Sequence, residues 1–73
     1  MKMLSKSVVD SIKTRYPVGC RVKLDHMDDP WSKIPDGCEG TVMVVDDMGT
    51  IHVSWDCGSS LGVVYGEDAC HRI

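Results

Sequence analysis

The apolar residues of this chain change period once, at Pro17–Gly19, and no other feature limits the fold as much. Before the switch, Leu4, Val8, Ile12 and Tyr16 recur every four residues with Val9 beside them, the spacing of one helical face. The pattern predicts a helix over residues 5–15. Ser5 or Ser7 caps its start, Lys13 and Arg15 suit the negative end of its dipole, and Pro17 ends it. So short a helix is not stable alone, and its Leu4/Val8/Ile12 stripe must lean on the rest of the chain.

After the switch the period is two. Cys20, Val22 and Leu24 alternate with Arg21 and Lys23 as a half-buried strand. A loop is expected from Asp25 to Gly37, with a Pro35-Asp36-Gly37 turn. Gly40–Val45 reads as a second strand, turned by Asp46–Gly49 into a third carrying Ile51, Val53 and Trp55. Asp56–Ser59 is a tight turn with Gly58 at positive φ. Leu61, Val63 and Tyr65 line a fourth strand, and Cys70 to Ile73 add a short closing one. Four or five short strands at such spacing predict a small antiparallel barrel, because closing the sheet hides its edges.

Length supports this economy. Seventy-three residues allow one domain, here a helix over 1–16 and a barrel over 17–73. A dinucleotide-binding Rossmann unit, a TIM barrel or a two-domain cleft enzyme does not fit. The longest apolar run is Val42 to Val45, so no membrane span is expected.

The formal charge of −3 hides an uneven distribution. Residues 1–23 carry six cations against Asp10, or +5, and residues 24–73 carry Lys33 and Arg72 against ten acids, or −8. Mutual attraction would dock the N-terminal segment on the rest. The alternative use is a basic arm for nucleic acid, with Lys6, Lys13, Arg15, Arg21 and Lys23 on one face.

The four cysteines, Cys20, Cys38, Cys57 and Cys70, contain no Cys-x-x-Cys pair, so neither a zinc knuckle nor another metal site is expected. Lysines and serines break the apolar character of Met1–Ser7, which does not read as a signal peptide. A cytoplasmic setting and reduced thiols follow, with Cys20–Cys38 as the pair to watch should a disulfide form. No phosphate-binding glycine loop, nucleophile pair or calcium loop is present. The acidic stretch Asp25-His26-Met27-Asp28-Asp29 reads as a solvated loop. No enzyme activity and no cofactor are expected. Trp55-Asp56 reads as a core indole beside a turn-starting carboxylate that accepts backbone N–H groups across the hairpin.

Tyr16–Leu24, Met27–Pro30, Ile34–Gly37, Gly40–Val42, Val45–Gly49 and Ile51–Ser59 resemble an uncharacterised bacterial family of short domains of unknown function. The resemblance implies an SH3-like barrel. More distantly, Gly40-Thr41-Val42 and Val53–Ser59 resemble the SH3-like domain of mind-bomb ubiquitin ligases. The chain departs from these families in placing Cys20, Cys38 and Cys57 where they mostly use Thr, Thr and Asn. Members are often carried on phage-like or conjugative elements. The expected fold is therefore mainly β, a small SH3-like barrel of four to five antiparallel strands preceded by one amphipathic N-terminal helix.

Within that fold, a non-catalytic protein-interaction module is the expected function. Trp31 sits in a polar, proline-flanked loop, and with Met27, Ile34 and Tyr65 it offers an apolar patch for a protein partner. The competing use of Trp31 is as a plug over one barrel end. A monomer or weak homodimer is expected, the latter completed by the helix stripe.

Overall fold

The computed structural model describes residues 4–27 and 34–73. One helix, α1 (Lys6–Arg15), precedes five strands: β1 (Arg21–His26), β2 (Glu39–Val45), β3 (Ile51–Trp55), β4 (Gly62–Val63) and β5 (Ala69–Arg72). They form one antiparallel sheet in the order β4-β3-β2-β1-β5. The first four strands are a meander, and β5 returns to the free side of β1.

Ser5 is the cap of α1, its hydroxyl accepting from the Val8 amide at 3.4 Å. The helix packs with Val9 and Ile12 buried. It sits over the β2–β3 turn at Gly49, where an added Cβ would lie 2.7 Å from Leu4 Cδ1 and 3.3 Å from Ile12 Cδ1. Lys13 reaches Asp47 of the same turn at 3.0 Å, an exposed ion pair between the basic and acidic parts of the chain. The stripe offered for a homodimer is thereby used inside the chain.

The core joins α1 to the buried face of the sheet, where Val22, Leu24, Val42, Val53 and Trp55 are at most 2% exposed. Trp55 crosses Gly40 on the neighbouring strand, its paired residue. A Cβ at Gly40 would come within 2.6 Å of Val53 Cγ1, 2.8 Å of the Ser54 carbonyl oxygen and 2.9 Å of the indole, so only glycine admits the ring without displacement. The indole N–H donates to the Leu61 carbonyl at 3.0 Å, tying the following loop to the core.

Three local expectations are corrected. β1 runs through Asp25 and His26, which are strand residues because β5 supplies a partner ladder reaching His26. β4 is only Gly62–Val63, with Leu61 and Tyr65 exposed. A bulge between Val42 and Val44 breaks the alternation of β2, so Met43 and Val44 are both exposed.

Candidate functional site

The carboxylates and cations form most of the polar architecture. Arg21 projects from the face of β1 opposite the buried Val22 and Leu24, donating to Thr41 Oγ1 at 3.0 Å and to Asp56 Oδ1 at 2.9 Å, with a second bond to Asp56 Oδ2. The expected role of Asp56 is corrected here, since its carboxylate serves Arg21. Bonding to Arg21 holds the Asp56 carboxyl below the ordinary carboxylate range. Asp46 plays the turn-bracing part instead. Its Oδ1 accepts from the Met48 and Thr50 amides at 2.9 and 3.0 Å, and its Oδ2 from His52 Nε2 at 2.8 Å. His52 foremost, with the Thr50 and Met48 amides, holds that carboxyl below its usual range against the opposing effect of burial. His71 Nδ1 meets both Asp25 oxygens at 2.8 and 2.9 Å.

The five cations considered for nucleic acid are divided. Lys6 and Lys13, seven residues apart, share one side of α1, and Arg15 lies on the other. Lys13 meets Asp47, Arg15 lies 5.6 Å from the centroid of the Tyr16 ring, and Arg21 is held by Asp56. Lys23 projects from β1 beside Gly37. The structure does not gather them on one face.

The apolar patch also divides. Ile34 is 6% exposed and belongs to the core, and Met27 packs against it half-buried. Trp31 lies outside the described residues. Tyr65 is 55% exposed and belongs to a separate feature, a cleft of about 350 Å³ between α1 and the facing parts of β4 and β5. Ile12, Tyr16, Ile51 and Val63 form its apolar floor, and Arg15 and Asp68 stand at its rim. The cleft exists because β4 and β5 each pair on one side only, with β3 and β1 respectively. A bridge between Tyr65 and Asp68 joins their connecting turn. Tyr16 fixes one wall, its hydroxyl donating to the Cys70 carbonyl at 3.3 Å, and burial raises its pKa. Sequence reasoning singled out Tyr65 but not Tyr16 or Val63, whose periods assign them to the core alone.

A family model covers residues 5–73. The chain belongs to the family described as Domain of unknown function (DUF4314). Neither a curated protein nor a solved structure matches it significantly. Membership thus brings this DUF4314 chain no activity, and its chemistry rests on its own residues. Among the described residues, no group of three or more His, Cys, Asp or Glu could hold a metal ion, and no helix is long and apolar enough to cross a membrane. All four cysteines are free. The suspected Cys20–Cys38 disulfide is ruled out by register. Arg21 pairs with Thr41 and Lys23 with Glu39, which puts Cys20 and Cys38 four steps apart, about 13 Å along the strands. A disulfide spans at most about 7 Å between Cα atoms.

Proposed function

We propose that this chain is an SH3-like barrel acting as a non-catalytic protein-interaction module in the cytoplasm. A four-strand meander with β5 returned to β1 supports the SH3-like assignment. A bacterial phage-like or conjugative element fits the family resemblance as the source, and the module works as a monomer.

The observation that carries this reading is the cleft between α1, β4 and β5. Its floor is apolar, its exposed wall is a tyrosine, and its rim holds a cation. Aromatic and arginine side chains beside an apolar recess are the residue types that dominate protein recognition. The occupant is an extended segment of another protein that seats an apolar side chain on Val63 and Tyr16. An acidic residue of that segment faces Arg15. The half-paired edges of β4 and β5 suit a partner in extended form.

A phage-displayed library of random peptides tests this. Selected peptides should perturb the amide resonances of residues 63–70, and Tyr65→Ala or Arg15→Ala should weaken them roughly tenfold while the far-ultraviolet spectrum is kept. Peptides that bind Tyr65→Ala as tightly as the native chain would sink the reading. Salt-sensitive binding of duplex DNA or RNA centred on Arg21 and Lys23 would replace it with nucleic-acid recognition.

A further inference from the structure

Two of the free cysteines, distant in sequence, meet at one end of the sheet. Gly40 of β2 pairs with Trp55 of β3, and the Asp56 amide donates to the Glu39 carbonyl at 2.9 Å. One further step along the same pair sets Cys57 against Cys38. Cys38 lies just before β2 and Cys57 in the turn that follows β3. Glu39 and Asp56 are joined by a hydrogen bond, and in a regular ladder the positions flanking such a pair are the closer, non-bonded kind, with Cα atoms about 4.5 Å apart. That separation lies inside the range a disulfide spans. The Cys57 amide and thiol are near enough to the Cys38 thiol to shift its pKa in opposite directions, the amide lowering it and the thiol raising it. Cys57 is exposed at the turn and Cys38 is half-buried.

We propose that Cys38 and Cys57 are a redox couple, joined into a reversible cross-link by oxidants of the hydroperoxide class. The Cys57 thiolate attacks the peroxide, whose O–O bond breaks. Cys57 becomes a sulfenic acid, and the departing oxygen leaves as water with the proton from the thiol. The Cys38 sulfur then attacks the Cys57 sulfur. The S–O bond breaks, the S–S bond forms, and hydroxide takes the Cys38 proton to leave as a second water. The two thiols lose two electrons and two protons, and one hydrogen peroxide becomes two waters. Accessibility sets the order of attack, and burial, followed by the neighbouring Cys57 thiol, keeps Cys38 in its protonated form until it resolves the sulfenic acid. The cross-link ties the turn after β3 to the start of β2. Cys70 stands apart, its thiol pushed up to about 11 by burial.

The experiment uses the full native chain, treated with dilute hydrogen peroxide, blocked with maleimide, digested and mapped by mass spectrometry. The expected product is a monomer lighter by two hydrogen atoms, carrying maleimide on Cys20 and Cys70 only, with one linked peptide joining Cys38 to Cys57. Dithiothreitol restores four reactive thiols, and the unfolding midpoint of the oxidised form lies above that of the reduced form. Cys57→Ser abolishes the linked peptide. Four maleimides after peroxide, a linked peptide using Cys20 or Cys70, sulfinic acid on Cys57 without a link, or a disulfide between two copies would each overturn the proposal.

Discussion

The middle of the sheet and its two edges belong to one antiparallel ladder, yet they differ in how much they bury. β1, β2 and β3 carry the five least exposed core side chains, including Trp55 over Gly40. β4 contributes one buried residue, Val63, and no residue of β5 is fully buried. Central strands are held on both sides by ladders, so every inward residue meets others. Edge strands are held on one side and leave a recess between them that α1 only partly roofs. Stability is thereby concentrated in the centre, and the surface free for recognition lies at the rim.

The largest test of this contrast is Trp55→Ala. Loss of a buried aromatic costs about 3–5 kcal/mol, a large share of what a domain this small retains, and urea unfolding would show it. A midpoint like that of the native chain would remove the distinction between centre and edge. Gly40→Ala comes next, expected to cost about 1–3 kcal/mol because its Cβ has no room; a neutral result would mean that Trp55 can shift cheaply.

Acid probes the β2–β3 turn. The Asp46 carboxyl is held below its ordinary range, chiefly by His52. The stability it contributes is therefore fully present above the ordinary carboxylate pKa and is lost as pH falls through its lower folded value. Stability measured between pH 5 and pH 2 (roughly the carboxylate range) should fall less steeply in Asp46→Asn. An unchanged slope would assign acid sensitivity to other carboxylates.

Smaller still is the exposed Arg21–Asp56 pair. A double-mutant cycle should give a weak coupling that added salt erodes, and a coupling insensitive to salt would contradict its exposure. Tyr65→Ala should leave stability within about 0.5 kcal/mol while weakening peptide binding roughly tenfold. A clear loss of stability would make the rim part of the core after all.

Much of the fold was legible because its signals are local. The four-residue spacing from Leu4 to Tyr16 marked α1, and Pro35-Asp36-Gly37 closed as read, with the Cys38 amide on the Pro35 carbonyl at 3.1 Å. Gly58 takes φ +96°, as the turn after Asp56 demanded. The candidate site was less legible. Tyr65 was found for the wrong neighbours, because Ile34 has the same apolar character whether it lies in the core or in a patch. Arg21 was counted as free charge, although Asp56 neutralises it from a position distant in sequence.

Composition and periodicity alone determined one helix, four to five short strands, the tight turns at Pro35–Gly37, Asp46–Gly49 and Asp56–Ser59 and the core identity of Trp55, because each depends on neighbours a few residues away. Tertiary structure decided what depends on register. The bulge in β2 turned both Met43 and Val44 outward, β5 extended β1 to His26, and β4 stopped after two residues, opening the cleft. Cys38 was set against Cys57 and kept from Cys20 by the same cause. Alternation states which face a residue takes, but only the ladder states which residue stands opposite.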